Sequence, residues 1–282
     1  MTDQVVFLNG TNTIISNGNS TYRLNLPSTF KAQNKELALL NAFIYYSWRN
    51  VTSAFNNNSF SYTFNNTVYP INMPDGYYDT LYINAYMQLQ MFQNGHYLIN
   101  NTNASNPITV YFINIVENNA YYTNTLTCTP IPSTLPANWT NPANLTLTGA
   151  TMTLNFSNNN TASLLGFVNS TSYPSTPQSS IYNINAPNTP EINPIYCINM
   201  NCNLTSNGSM FNSALNSIYQ FNPSNVAYGE QIQLEPVRLF YNKIDNSTYN
   251  YIEIYFTDQN NRPSQILDTD ISITLIIRDR QN

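Results

Sequence analysis

Short runs of alternating apolar and polar residues recur along the chain, and Asn, Gly and Pro separate them. This pattern is typical of half-buried strands joined by turns, and it predicts an antiparallel β-sandwich or barrel. The last run is the clearest, because its odd-numbered residues are all Ile or Leu, with Ser272 and Thr274 between them. The predicted strands are Val5–Leu8, Tyr22–Leu26, Ala38–Trp48, Phe60–Phe64, Thr109–Val116, Tyr121–Thr127, Thr151–Phe156, Ile195–Leu204, Ile218–Phe221, Gln231–Leu234, Tyr251–Phe256 and Ile271–Ile277.

The most apolar stretch, Glu36–Val51, fits two kinds of element. A membrane span needs about twenty consecutive apolar residues, and this run is interrupted by Asn41 and ends at Ser47. Helical spacing and strand alternation both match its apolar positions. The aromatic and branched residues of its second half favour a strand. The face of that strand predicted to enter the core comprises Ala38, Leu40, Ala42, Ile44, Tyr46 and Trp48.

Two short helices interrupt this pattern. Asp79 is placed to cap a helix in which Ile83, Met87 and Met91 lie four residues apart, and Gly95 is placed to end it. A shorter helical turn is predicted over Thr161–Leu165, before Gly166. The Pro-rich stretches Pro130–Pro142 and Pro174–Pro194 predict long ordered loops or a small insertion, because proline is excluded from central strands.

The chain carries very little charge. Only 8% of its residues are Asp, Glu, Lys or Arg, and its net charge is −5. No Lys or Arg lies between Arg49 and Arg238, so the sequence offers neither the cations that nucleic-acid binding requires nor a polybasic membrane patch. We therefore expect no nucleic-acid partner and no membrane insertion. A surface of neutral amides suits packing against other copies, because burying a hydrogen-bonded amide costs less than burying a charge.

Residues for catalysis or cofactor binding are scarce. His96 is the single histidine, so a Ser or Cys triad would have to use it; its place after a helix-closing glycine favours a structural role. One His and the three scattered cysteines, Cys128, Cys197 and Cys202, do not supply a typical zinc site. No phosphate-binding GxxxxGK[ST] or dinucleotide-binding GxGxxG motif occurs. We expect no catalytic residues, no cofactor and no enzymatic activity.

Three acidic residues near the carboxyl end are the only candidates for a metal site. Asp258, Asp268 and Asp270 flank the loop DQNNRPSQILDTD, and oxygen-rich loops between strands can bind calcium. The alternative is that these aspartates end strands and form turns, with Arg262 as a local counter-charge. The second interpretation is favoured.

Seven blocks of the sequence, taken in order, resemble the penton, or minor capsid, proteins of virophages and polinton-like viruses. The similarity lies in the order and spacing of these blocks over most of the chain rather than in a catalytic signature. The blocks are FKAQNKELALLNAFIYYSWRNVT (30–52), PDGYYDTLYINAYMQLQMFQNGHYL (74–98), ITVYFINI (108–115), AYYTNTL (120–126), LPANWTNPA (135–143), LLGF (164–167) and YFTDQNNRPSQILDTDISITLIIRDR (255–280).

This resemblance implies a single jelly-roll β-sandwich of two four-stranded sheets. It also implies homopentamers at the fivefold vertices of an icosahedral capsid, among trimers of a double jelly-roll major capsid protein. The protein would be located in the virion and assembled in the host cytoplasm. A jelly roll uses eight strands, and the sequence predicts about twelve. The additional strands indicate extra strands or an inserted subdomain at about residues 130–192, within one jelly-roll domain over residues 1–282.

A second interpretation is a carbohydrate-binding β-sandwich, such as a virion-surface adhesin that contacts a host glycan or receptor. In that case tyrosines, with Trp48 or Trp139, would stack on sugar rings and would have to be exposed. A third, an enzyme, would require a pair of carboxylates that the sequence does not identify.

Overall fold

The computed structural model describes residues 3–11, 13–142, 145–205, 208–210, 213–223 and 226–280. These residues form 22 β-strands, two α-helices and one short 3₁₀ helix. The chain divides into two compact units. Unit 1 combines Met1–Trp48 with Ile195–Asn282, and unit 2 is the intervening segment Arg49–Pro194.

Twelve strands belong to unit 1. In chain order they are β1 (Gln4–Asn9), β2 (Ile14–Ser16), β3 (Thr21–Ala32), β4 (Lys35–Tyr45), β15 (Ile198–Cys202), β16 (Gly208–Met210), β17 (Ser213–Leu215), β18 (Ser217–Phe221), β19 (Gln231–Leu234), β20 (Asn242–Lys243), β21 (Ser247–Asp258) and β22 (Ser272–Asp279).

Ten strands belong to unit 2: β5 (Ser59–Phe64), β6 (Thr67–Asn72), β7 (Leu98–Asn100), β8 (Ile108–Val110), β9 (Ile113–Asn118), β10 (Thr123–Cys128), β11 (Trp139–Thr140), β12 (Thr153–Asn155), β13 (Ser172–Tyr173) and β14 (Tyr182–Asn185). Unit 2 also contains the 3₁₀ helix Ser53–Phe55 and the helices α1 (Thr80–Gln93) and α2 (Thr161–Leu165). None of these helices is long and apolar enough to cross a membrane.

The strand order of unit 1 is that of a jelly roll. One sheet has the order β1-β22-β4-β19, with β20 also paired to β4, and the other has the order β18-β15-β21-β3-β2. If β1, β3, β4, β15, β18, β19, β21 and β22 are lettered B to I along the chain, the two sheets read B-I-D-G and F-E-H-C. All pairings in both sheets are antiparallel. The predicted all-β jelly roll is therefore confirmed, and β2, β20 and the β16–β17 hairpin are additions to its eight strands.

Apolar alternation explains why these segments pair as they do. In β22, Ile273, Leu275 and Ile277 are buried, as the sequence pattern predicts. In β21, Ile252 and Ile254 are buried in the same way, and the apolar faces of such strands are removed from water on one side of the sheet. Polar residues of β21 lie on the opposite face, where Glu253 forms an ion pair with Arg23 of β3.

The stretch Glu36–Val51 supplies β4, which confirms the predicted strand, but its buried face changes partway along. Leu39 pairs with Leu275 and Asn41 pairs with Thr274, so Leu40 is an extra residue in a β-bulge. A bulge reverses which residues face the core on either side of it. Leu37, Ala38 and Leu39 are buried before it, and Ala42 and Ile44 after it. The prediction that Leu40 shares the core face was wrong, because the bulge interrupts the alternation.

Unit 2 contains both helices that the sequence predicts. Asp79 caps α1 by accepting a hydrogen bond from the Tyr82 N–H at 2.7 Å, and Gly95 follows the helix in the left-handed region. α1 buries Ile83, Met87 and Met91. α2 ends at Gly166, whose φ is +82° and where a Cβ atom would lie 2.3 Å from a backbone oxygen.

The strands of unit 2 form three small antiparallel sheets, with the orders β14-β10-β9, β11-β7-β8 and β13-β12-β5-β6. A core of buried apolar side chains lies in this unit and includes Phe60, Tyr62, Phe156 and Phe167. The range predicted for an insertion, about 130–192, lies within unit 2, which begins much earlier, at Arg49. In jelly-roll terms, unit 2 is the connection between strands D and E.

Candidate functional site

The buried carboxylate of Asp258 is engaged by its own loop. Asp258 is the last residue of β21, and its side chain is 1% exposed. Its Oδ1 accepts hydrogen bonds from the N–H groups of Asn260 (2.8 Å) and Arg262 (2.9 Å), and its Oδ2 accepts one from Arg262 Nε at 2.7 Å. Arg262 is therefore the local counter-charge that the sequence suggests, and the carboxylate closes the turn after β21.

Asp268 and Asp270, the other two metal candidates, lie together in the loop before β22. Asp268 Oδ1 accepts a hydrogen bond from the Asp270 N–H at 2.8 Å, and the Asp268 N–H donates to Ser47 Oγ at 3.0 Å. Over the residues that the structure describes, no group of three or more His, Cys, Asp or Glu side chains is arranged to hold a metal ion. The favoured interpretation, that these three aspartates form turns and do not bind calcium, stays a prediction.

His96 is buried among aromatic rings in unit 2. Its Nδ1 lies 2.8 Å from the Tyr62 hydroxyl, which also accepts a hydrogen bond from Asn94 Nδ2 at 2.8 Å. All three groups are satisfied if the Tyr62 O–H donates to Nδ1 of a neutral imidazole. The rings of Phe64 and Tyr69 lie 4.7 and 4.5 Å from the imidazole ring. Burial lowers the pKa of His96 below its usual 6.5, so this environment keeps the ring neutral.

The three cysteines are free thiols. Burial raises the pKa of Cys128 and of Cys202 to about 12 in each case, and it also raises the pKa of Cys197. Because the thiolate is the reactive form, these thiols are poorly suited to nucleophilic catalysis. Cys128 and Cys202 are buried and contribute to packing.

The two tryptophans do not form an exposed stacking platform. Trp48 is 2% exposed and lies against Tyr46, with ring centroids 4.4 Å apart. A sugar-stacking role for Trp48 is therefore contradicted by its burial. Trp139 is half-buried and packs against the core of unit 2. The exposed aromatic residues are tyrosines and phenylalanines instead, and they include the adjacent pair Tyr121 and Tyr122 between β9 and β10.

One edge of the B-I-D-G sheet is uncharged and partly apolar. β1 pairs only with β22 in this sheet, which leaves the far side of the strand as a sheet edge. It contains no Pro and no charged residue, and it exposes Val5 and Phe7, the latter to 66%. Edge strands of monomeric proteins are usually protected by charges, prolines or a covering segment. We call Asp3, Val5 and Phe7 the β1 edge.

The opposite edge of the same sheet has an exposed apolar segment. β19 and β20 both pair with β4, and residues 235–241 leave the sheet between them. In this segment, which we call the excursion, Val237 is fully exposed and Phe240 is 71% exposed, with Arg238 between them. These residues were not predicted from the sequence as candidates for a functional site. Their signal is an apolar cluster, PVRLFY, that does not alternate and therefore fits neither a strand nor an ordinary polar loop.

Comparisons with known proteins give structural similarity alone. No protein-family model matches the sequence, and no curated protein matches it. The crystal structure of the mavirus penton protein is 10% identical, with 98% of each chain covered and a TM-score of 0.46. A chain of the Sputnik virophage structure is 13% identical, with the same coverage and a TM-score of 0.34. Neither TM-score reaches 0.5, and the jelly roll is assigned here from the strand order of the chain itself.

Replacing Asp258 tests whether this carboxylate closes a turn or binds calcium. Asp258→Ala removes the acceptor of three hydrogen bonds, and we expect it to lower the free energy of unfolding by about 1.5–3 kcal/mol. The exposed control Asp270→Ala should change it by less than about 0.5 kcal/mol. Denaturant unfolding with calcium and with EGTA measures both effects. A calcium-dependent rise in the wild-type stability that Asp258→Ala abolishes would contradict the structural role.

The pH dependence of stability tests the burial of His96. Because the pKa of His96 is lower in the folded than in the unfolded chain, the unfolded chain takes up the proton first as the pH falls through 6.5. Stability should therefore decline between pH 7.5 and 5.5, by at most about 1.4 kcal/mol per pH unit for one proton. Since His96 is the single histidine, His96→Gln should flatten this decline in thermal unfolding. Equal slopes in the two proteins would show that His96 is not responsible.

Proposed function

We propose that this chain is a structural penton protein of an icosahedral virus of the virophage or polinton-like kind. In this proposal it forms homopentamers at the fivefold vertices and contacts a double jelly-roll major capsid protein. It is located in the virion after assembly in the host cytoplasm, and it acts without a cofactor or catalysis.

The observation that carries the proposal is the pair of apolar edges on one jelly-roll sheet. Val5 and Phe7 on one edge, and Val237 and Phe240 on the other, expose apolar surface to water. Exposed apolar surface at an unprotected sheet edge is typical of a protein that associates with other chains. Assembly covers this surface, which a monomer leaves in water.

The low charge of the chain supports the same function. In unit 2, over residues 49–194, the charged residues are Arg49, Asp75, Asp79, Glu117 and Glu191. Burying a charge without a partner costs far more than burying a neutral amide that keeps a hydrogen bond. Broad contacts with neighbouring chains therefore carry a small desolvation cost on this surface.

A jelly roll with two different apolar edges also suits a ring. In a cyclic assembly larger than a dimer, one flank of each subunit contacts the other flank of its neighbour. The jelly-roll architecture and the block-by-block resemblance of the sequence to penton proteins support the fivefold version of such a ring. The fold alone does not decide it, because jelly rolls also occur in lectins and enzymes.

Light scattering behind size exclusion, followed by electron microscopy, tests the proposed assembly. We expect a species of about 160 kDa, five times the 32.0 kDa of one chain, seen as a ring of five. Co-expression with the major capsid protein of the same virus tests the virion role, and we expect the chain to enter the particles at their vertices. Particles that form without incorporating it would contradict the proposal. In that case a glycan array would test the adhesin alternative, with Tyr121 and Tyr122 as the exposed aromatic candidates.

A further inference from the structure

The two apolar edges lie at the same level along the strands of the B-I-D-G sheet. β22 pairs with both β1 and β4, so a residue of β1 and a residue of β4 that pair with the same β22 residue lie at the same level. Through β22, Val5 is aligned with Ala38 and Phe7 is aligned with Asn41. The exposed apolar residues of the β1 edge therefore occupy the level of residues 38–41 of β4.

The excursion occupies this same level on the far side of β4. β19 ends with Leu234 opposite Ala42, and β20 begins with Asn242 opposite Leu37. Residues 235–241 therefore leave the sheet at Ala42 and return at Leu37. Val5 and Phe7 lie on the face of β1 opposite the buried Leu8, and Tyr241 at the end of the excursion lies under the guanidinium of Arg278 of β22, 3.4 Å from its ring centroid. The excursion and the exposed apolar residues of β1 therefore lie at one level along the strands.

The charges beside these apolar residues are opposite in sign. The excursion contains two charged residues, Glu235 at its start and Arg238 in its middle. Glu235 accepts a hydrogen bond from Gln233 at 2.5 Å. Arg238 lies between Val237 and Phe240, and it forms no ion pair with any residue that the structure describes. Asp3 precedes Val5 and Phe7, and within the described ranges it likewise lacks an ion-pair partner within 4 Å. Arg278, whose pKa is raised mainly by a hydrogen bond to Glu36 and to a smaller extent by Asp3, is already paired with Glu36 at 2.7 Å.

We propose that the excursion of one copy packs against the β1 edge of the next copy, with Val237 and Phe240 against Val5 and Phe7. In this contact Arg238 of one copy pairs with Asp3 of the other. The inference rests on the proposed self-assembly and names the surfaces that carry it. The partner in this contact is a second copy of this chain, because the two edges are complementary. The excursion supplies exposed apolar residues on either side of a cation, and the β1 edge supplies exposed apolar residues beside an anion.

The equal height of the two edges determines the kind of assembly that results. A contact between different flanks of identical subunits closes into a ring if it includes no shift along the axis, and otherwise continues as a helical filament. Because the excursion and the β1 edge share one level along the strands, a rotation about an axis parallel to the strands joins them without such a shift. The proposed contact therefore meets one condition of a closed ring; the other is a rotation that divides the full turn equally.

Charge reversal tests the proposed pair directly. Asp3→Arg and Arg238→Asp each place two like charges in the contact, and we expect each to weaken self-association at least about tenfold in analytical ultracentrifugation. The double variant Asp3→Arg with Arg238→Asp restores opposite charges and should recover wild-type association to within about threefold. Lys31→Asp, an exposed charge change on β3 of the other sheet, is the matched control and should have no effect. Circular dichroism confirms that each variant is folded.

Disulfide trapping tests the apolar half of the contact. A Val5→Cys chain mixed with a Val237→Cys chain should give a cross-linked dimer under oxidation, whereas either variant mixed with wild type should not. The native Cys128 and Cys202 are buried. Cys197 is half-buried and lies near Leu234, so both chains carry Cys197→Ser in this experiment.

The outcomes separate this inference from the proposed function. A wild-type chain that stays monomeric at the highest soluble concentration overturns the inference. The inference is also overturned if both single charge-reversal variants still form rings and the Val5→Cys and Val237→Cys chains give no cross-linked dimer. That result leaves the proposed penton role intact, because other surfaces then form the ring. The proposed function is tested independently by co-expression with the major capsid protein, and it fails if particles form without incorporating this chain.

Discussion

The structure depends on the pairing of its two carboxyl-terminal strands with strands that precede unit 2 in the sequence. β22 lies between β1 and β4, and β21 pairs with β3 on one side and with β15, which follows unit 2, on the other. The pairings with β1, β3 and β4 join residues separated by more than 200 positions, such as Leu8 with Ile273, and such long-range pairing has a high entropic cost during folding. Buried alternating side chains on both strands supply the compensating hydrophobic energy. Once β22 occupies the centre of its sheet, β1 and β19 necessarily form the edges.

Those edges connect the fold to the proposed function. A sheet edge has backbone groups and side chains that no neighbouring strand covers, and most monomeric proteins protect it with charges or proline. Here the residues around it are Val5, Phe7, Val237 and Phe240. The charges nearest these apolar residues are Asp3 on one edge and Arg238 on the other, which are opposite in sign, and Glu235 lies at the start of the excursion. The strand order that makes a jelly roll thus also presents two different, complementary flanks, which is the requirement for a ring of identical subunits.

Part of this structure could be predicted from local chemistry. The alternation in β22, the Asp79 cap, and the glycines that end α1 and α2 are local signals, and each gives the observed element. β6 could not be predicted in this way, because it contains Pro70 and buries only Ile71. The bulge at Leu40 and the start of unit 2 at Arg49 depend on pairing between distant segments, which composition does not encode. The proposed assembly surface could not be predicted in this way, because Val237 and Phe240 are assigned to it for their exposure, and exposure follows only from the fold.

Hydrogen–deuterium exchange, compared between the dilute monomer and the assembled ring, tests most directly whether the sheet edges are the assembly surface. If the proposed contact forms the ring, we expect the amides of Gln4–Asn9 and of residues 235–241 to exchange more slowly in the ring, because a neighbouring copy then covers both segments. The amides of β21, which lie inside a sheet in both states, should exchange slowly in each. Equal exchange of the two edge segments in monomer and ring would contradict the account.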